Sequence, residues 1–320
     1  MDDPLSALDS HPDASRIRSC KFDGGVATLI VDGSNMRNDE RKAMEARLAK
    51  AARAIPGVTD VRIALTAARK GAATLVAIGS GKGGVGKSTV AANLAVALQR
   101  MGKKVGLIDA DIYGPSQPTL LGAHDRPEAK EKQLISVVSP SGVRLLSVGQ
   151  LVPAGQALAW RGPMAGKALA QLIDGDWGEV DLILVDLPPG TGDVQLSLVQ
   201  KAKPAAAVIV STPQDLALID ATRAIDLFAR TDVPVIGIIE NMAGYRCPHC
   251  GEESDPFGSG GAEASAKKLG IPFLGRLPLS ASLREASDAG RPPAAEDGPA
   301  GDAFALLAQA LLDGLEKKPA

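Results

Sequence analysis

GKGGVGKST, residues 81–89, lies directly after the apolar run TLVAIG (74–79) and directly before a segment with helical spacing. It fits the pattern G-x-x-x-x-G-K-[ST], and a strand before it with a helix after it is the setting that pattern needs. Gly81, Gly83, Gly84 and Gly86 let the backbone wrap a phosphate chain without Cβ clashes, and Val85 completes the loop. The loop's N–H groups then point inward, and the positive end of the following helix adds to their potential. In that setting Lys87 neutralises β and γ oxygens, Ser88 ligates Mg²⁺ and Thr89 adds a contact on the α-phosphate side. The expected ligand pair is therefore ATP with Mg²⁺. The helix is expected to stop near Met101, where Gly102 can take the left-handed cap.

From Thr74 onward, near-continuous apolar runs alternate with helical segments. The strand candidates are TLVAIG (74–79), KVGLID (104–109), VRLLSV (143–148), VDLILVD (180–186), AAAVIVST (205–212), PVIGIIE (234–240) and PFLGRL (272–277). Runs of this kind belong to strands buried on both faces, as in a mostly parallel sheet covered by helices. The fold class read from this is α/β, a phosphate-loop nucleotide-binding domain over residues 74–320. Ahead of it, residues 1–67 read as a small α+β unit, with ARKGAA (68–73) as linker. In that unit GVATLIVDG (25–33) ends in an Asp-Gly turn and a helix is expected from Asp39 to Ile55. Met44, Leu48, Ala52 and Ile55 are spaced along one helix face, and VRIALT (61–66) alternates, as a partly solvated strand does.

Three carboxylates fall at the carboxyl ends of buried strands, the edge where such sheets bind ligands. LIDADIYGPSQP (107–118) supplies Asp109 and Asp111; LILVDLPPGTGD (182–193) supplies Asp186. Asp111 is the candidate for orienting or activating water. Asp109 is assigned to the Mg²⁺ shell and Asp186 to the metal as the partner carboxylate. Gly190 and Gly192 permit a loop whose amides sense the γ-phosphate. Lys82 is a second lysine that an ordinary phosphate loop does not require. Its ammonium can fold back, or cross to a partner's nucleotide in a face-to-face dimer as an arginine finger does. Asn241, in IIENM, follows a strand at the same edge, and an amide can both donate to and accept from a purine.

The totals bound the remaining choices. The chain has 320 residues, 45% hydrophobic but only 3% aromatic, so its core rests on Ala, Val, Leu and Ile. A formal charge of -2 gives no support to a nucleic-acid surface built on bulk charge. No run reaches the roughly 18 apolar residues of a membrane span, and FALLAQALLDGL (304–315) reads as a helix docked on the core. With no basic-then-apolar leader and few cysteines, the expected setting is the reducing cytoplasm.

Three cysteines are present, two of them in CPHC (247–250). Pro248 stiffens that turn and Gly251 lets the chain curl behind the second sulfur, a knuckle that directs N–H groups at thiolates. Two thiolates do not complete a tetrahedral site, and Cys20 lies in the other unit. A two-fold axis solves the count, because two chains supply Cys247 and Cys250 twice. Four thiolates suit Zn²⁺ and a [4Fe-4S] cluster equally well by number. His249, between two coordinating cysteines, is expected to point away.

GKGGVGKS, DADIYGPSQP, VDLPPGTGD, IENM and CPHC together resemble the Mrp family of iron–sulfur cluster carrier ATPases. That family sits in the deviant-Walker-A group with the nitrogenase iron protein and the division-site and partitioning ATPases. The resemblance covers residues 74–295. It implies a homodimeric ATPase that holds a [4Fe-4S] cluster between subunits and passes it to apo iron–sulfur proteins, with cluster scaffold proteins as further partners. It favours the cluster over zinc, assigns Lys82 a role across the dimer, and makes Asn241 an adenine contact. The N-terminal unit resembles the small assembly-factor domain fused ahead of such ATPases, but GSNMRNDERK (33–42) lacks the cysteine usual before its helix. Two other readings compete: a spatial-positioning or partitioning ATPase, which leaves CPHC without work, and a zinc-stapled ATP-binding scaffold.

Overall fold

The computed structural model describes residues 7–8, 11–33, 38–66, 73–130, 133–151 and 162–317. The chain divides into two compact units, Met1–Ala72 and Ala73–Ala320. The 68–73 segment read as a linker lies, except for Ala73, outside the described residues.

In the first unit β1 (Ile17–Asp23) pairs antiparallel with β2 (Val26–Asp32). Helix α1 (Asn38–Arg53) then carries the chain across to β3 (Asp60–Thr66), which lies parallel to β2. Met44, Leu48 and Ala52 of α1, with Ile55 just beyond it, are buried with Ala27, Leu29 and Val31 of β2. In β3 the alternation holds, with Val61, Ile63 and Leu65 half-buried and Arg62 and Ala64 exposed. Strand β1 carries Arg18, Lys21 and Asp23 among its residues, so its sequence shows no apolar period to mark it.

The second unit begins with β4 (Thr74–Gly79), α2 (Lys87–Arg100), β5 (Val105–Asp109) and the short α3 (Gln117–Leu120). Two minor strands, β6 (Ala129–Lys130) and β7 (Gln133–Leu134), form a hairpin before β8 (Val137–Val138) and β9 (Arg144–Ser147). Next come α4 (Gly162–Ile173), β10 (Leu182–Asp186), α5 (Asp193–Ala202), β11 (Ala206–Ser211), α6 (Asp215–Ala229) and β12 (Val235–Glu240). A two-stranded hairpin, β13 (Tyr245–Arg246) and β14 (Glu253–Ser254), precedes α7 (Gly261–Leu269), β15 (Phe273–Arg276), α8 (Ala281–Asp288) and α9 (Pro299–Glu316).

Eight strands form one sheet in the order β15-β12-β11-β4-β10-β5-β9-β8. All pairs are parallel except β8 with β9. The seven long apolar runs of the sequence are its seven parallel strands. Their residues alternate between two cores: Val76, Ile78, Leu182 and Leu184 face α2 and α9, whereas Ala77, Ile183 and Val185 face α4, α5 and α6. This double burial is why the runs are continuous and not alternating. Helix α2 ends at Arg100 and Gly102 takes φ +85°, as a C-terminal cap requires. Phe304, Leu307, Ala308 and Leu311 bury one stripe of α9 against the sheet. Parallel strands bring their carboxyl ends to one edge, so the residues after β4, β5, β10, β11 and β12 share it.

Candidate functional site

Between β4 and α2 the chain forms a loop around a cavity of ≈ 200 Å³, lined by Lys82, residues 83–89, Asp111 and Pro189. Two glycines are fixed by what surrounds them. A Cβ at Gly81 would overlap the Asp220 carbonyl of α6. Gly86 has φ +80° and lies under the Asn241 amide, so both conformation and space exclude a side chain. As N-cap of α2, Gly86 offers no side-chain acceptor, which leaves the first-turn N–H groups for an anion.

The carboxylates gather behind this loop. Strand β10 lies between β4 and β5, and Asp186 stands in register with Asp109. Lys87 Nζ is 2.5 Å from Asp186 Oδ1, 3.2 Å from Ser88 Oγ and 4.0 Å from Asp111 Oδ2. Its ammonium sits where these oxygens converge. The Lys87 and Asp186 side chains are 5% and 0% exposed, so this is a buried ion pair. Asp111 Oδ1 accepts from the Tyr113 and Gly114 amides at 3.1 and 3.2 Å, closing a turn, while Oδ2 is the oxygen that approaches Lys87. Asp109 does not line the cavity. Its Oδ2 accepts from Ser147 Oγ at 2.9 Å and the Gln117 amide at 3.1 Å, and its Oδ1 from the Asp111 amide at 3.2 Å. Burial, and then the Asp186 charge, push the Asp109 carboxyl up to about 7, against the pull of Ser147, Gln117 and Lys87.

These oxygens fit a hard divalent cation. Mg²⁺ favours one or two carboxylates completed by phosphate and water, and an ammonium already occupies their focus. Among the described residues no group of three or more His, Cys, Asp or Glu side chains is arranged to hold a metal alone; a Mg²⁺ shell here would be completed by phosphate and water oxygens.

Other predicted residues take definite places. Lys82 is half-buried and reaches Gln214 Oε1 of its own chain at 3.5 Å. Asn241 Nδ2 donates to the Val85 carbonyl at 2.8 Å, so this amide braces the loop and keeps its Oδ1 as an acceptor. The Gly190 amide donates to Ser80 O at 3.1 Å, and Gln195 closes the same turn through Pro189 O and the Gly192 amide. Thr89 is half-buried at the loop's end. Two residues were not singled out from sequence. Gln117 lies inside the DADIYGPSQP run, and Ser147 ends a buried strand in register with Asp109; a polar residue at such a strand end is the signal that marks it.

CPHC occupies the tip between β13 and β14. The Cys247 amide donates to Glu252 O and the Gly251 amide to Cys247 O, both at 2.9 Å, with Gly251 at φ +74°. The Cys250 and His249 amides and the Cys250 thiol are directed at the Cys247 sulfur and hold its thiol below the ordinary range. Cys250 and His249 are exposed and Cys247 half-buried.

Residues 71–312 match the family described as NUBPL iron-transfer P-loop NTPases, of the ParA type. The chain belongs to this family. It is 46% identical over 288 residues to the iron-sulfur cluster carrier protein of Deinococcus radiodurans, across 86% of this chain and 81% of that one. Among solved structures it is similar to the nucleotide-binding protein of Archaeoglobus fulgidus in complex with ADP, with TM-score 0.61, 41% identity, and 68% and 86% of the two chains covered. It is also similar to the septum site-determining protein MinD of Pyrococcus horikoshii complexed with Mg-ADP, with TM-score 0.58, 25% identity and 77% and 100% covered. As a family member the chain is a P-loop NTPase related to named iron–sulfur cluster carriers. Among the described residues no helix is long and apolar enough to cross a membrane.

Proposed function

We propose that the chain is an ATP-binding and ATP-hydrolysing carrier that holds a [4Fe-4S] cluster between two copies of itself and passes it to apo iron–sulfur proteins. The observation that carries this reading is the pairing, in one domain, of a phosphate loop with an exposed knuckle of only two thiolates. Cargo bound by two thiolates per chain needs a second chain, and an exposed knuckle lets an acceptor thiolate approach. The amides around Cys247 keep it ready as a thiolate ligand.

On the nucleotide side, Lys87, which now pairs with Asp186, would serve the β and γ oxygens of ATP. Ser88 Oγ and Asp186 would then be the residues to hold Mg²⁺, with Asp109 behind them organising the Asp111 and Gln117 backbone. When bound, Mg²⁺ supplies positive charge to the phosphate oxygens as the terminal bond breaks. Asp111 lines the cavity, and its carboxylate orients the attacking water. Lys82 leaves Gln214 to reach the partner's nucleotide, and Asn241 offers its remaining acceptor to adenine.

The test is anaerobic reconstitution followed by iron, sulfide and zinc analysis. Wild type and Cys20→Ala should each hold four iron and four sulfide per two chains, by the coordination arithmetic of a Cys₄ site. Cys247→Ala and Cys250→Ala should hold neither. Zinc without sulfide in the wild type would replace this reading with the zinc-stapled scaffold.

A further inference from the structure

Gln117 is fully buried, and its functional groups touch three of the elements that carry the phosphate site. Its backbone N–H donates to Asp109 Oδ2 at the end of β5. Its side-chain Nε2 donates to Asp186 Oδ2 at 2.8 Å, at the end of β10, and to the Ser88 carbonyl at 3.0 Å, in the first turn of α2. Both amide protons are thereby committed. Its Oε1 is buried and meets no donor among the described residues. The amide is therefore oriented by what Nε2 gives and not by what Oε1 receives. Turning the amide over would set its oxygen against a carboxylate and a carbonyl, so the chemistry of the two acceptors fixes the orientation.

The other oxygen of Asp186 is held by Lys87. If Lys87 transfers to phosphate, that oxygen is released, and among the described residues Gln117 is then the one side chain still holding the carboxylate. Through the same amide it holds the carboxylate at a set distance from residue 88, whose hydroxyl is the second protein donor. We propose that Gln117 is the positioning residue of the Mg²⁺ site: it sets Asp186 and Ser88 relative to one another, and so sets the affinity for Mg²⁺–nucleotide without touching nucleotide itself. This inference rests on the reading of the loop as a Mg²⁺–nucleotide site. Partners of this kind, hydrogen-bonded behind a metal ligand, typically change metal affinity by about 10–100-fold when removed.

The experiment is calorimetric titration of the full chain with ADP, in EDTA and in excess Mg²⁺, for wild type and Gln117→Met. Methionine keeps the length and volume of the side chain and removes both hydrogen bonds. Wild type should bind ADP more tightly with Mg²⁺. Gln117→Met should match wild type in EDTA within about twofold and lose roughly tenfold or more of affinity in Mg²⁺. The Mg²⁺ concentration for half-maximal ATP hydrolysis should rise by a similar factor. An equal Mg²⁺ effect in both proteins overturns the assignment, as does a parallel loss with and without Mg²⁺, which marks a packing role only. Should Gln117→Met fail to fold, Gln117→Asn draws the amide back by one methylene and is held to the same pair of outcomes. A wild type indifferent to Mg²⁺ would instead overturn the reading of the loop.

Discussion

Replacing Lys87 with methionine should destabilise the nucleotide-free protein, quite apart from its effect on hydrolysis. Lys87 is the only cation in contact with Asp186 among the described residues, at 2.5 Å and with both side chains almost wholly buried. Lys87→Met keeps the aliphatic stem, so the lost quantity is the charge and not the packing. Breaking a buried ion pair by removing one partner costs about 3–5 kcal/mol, because the remaining charge stays buried. Gln117 still donates to the other oxygen of Asp186, and a hydrogen bond to a charged group contributes about 1.5–3 kcal/mol. The expected loss is thus at the lower end of the range, about 3 kcal/mol. For a unit of this size that lowers the melting midpoint by roughly 6–12 °C. Lys87→Met/Asp186→Asn, which removes the stranded charge, should recover about 2 kcal/mol of the loss. Urea and thermal melts in EDTA, without nucleotide, read both numbers. A Lys87→Met protein within about 0.5 kcal/mol of wild type, or a double variant no more stable than the single one, would show that Lys87 does not offset a buried Asp186 charge.

Three further outcomes follow from the same geometry. Lys82→Ala chains mixed with Lys87→Met chains should regain partial ATP hydrolysis, because an exchanged dimer contains one site with its own Lys87 and a partner Lys82. No recovery despite demonstrated subunit exchange would count against action across the dimer. The Asp109 carboxyl, raised to about 7 in the fold, holds a proton that the unfolded chain releases near pH 4, so stability should fall as pH rises from about 4 to about 7. This group contributes up to about 1.4 kcal/mol per pH unit in that window, and wild type minus Asp109→Asn in pH-dependent urea melts should show that slope; a flat difference contradicts it. Finally, iodoacetamide should alkylate Cys247 of the metal-free protein with a pH midpoint below that of an ordinary thiol, since its thiolate accepts from the knuckle amides. Mass spectrometry of the labelled peptide gives the midpoint, and an ordinary value would show that those amides do not stabilise the thiolate.

The sheet was legible because six of its seven parallel strands are largely buried on both faces and so read as unbroken apolar runs, with the half-buried edge strand β15 as the seventh. Strand β1 was not, since Arg18, Lys21 and Asp23 interrupt it and its pairing with β2 is supplied by backbone hydrogen bonds. The edge strand β8 has only two residues, Val137 and Val138, too short for any period. At the site, the loop and the strand-end aspartates were visible as local patterns. Their division of labour was not. Sequence does not say that β10 lies between β4 and β5, and only that order sets Asp186 beside Lys87 and in register with Asp109. The same adjacency brings Gln117 to Asp186 across 69 positions of sequence. Asn241 was legible as a polar residue at the right edge, but its bond to the Val85 carbonyl depends on how closely the β12 end approaches the loop. The CPHC knuckle was legible almost in full, because Gly251 and the hairpin that closes it are local in sequence.

The central claim is that two knuckles, one from each of two chains, share one cluster. Native mass spectrometry of the anaerobically reconstituted protein measures it directly, since chain number and bound inorganic mass come from the same ion. A dimer carrying the mass of one Fe₄S₄ unit is expected, reduced to cluster-free chains by Cys247→Ala or Cys250→Ala and unaffected by Cys20→Ala. A single chain carrying a whole cluster, or a dimer whose added mass is one zinc ion, would contradict it.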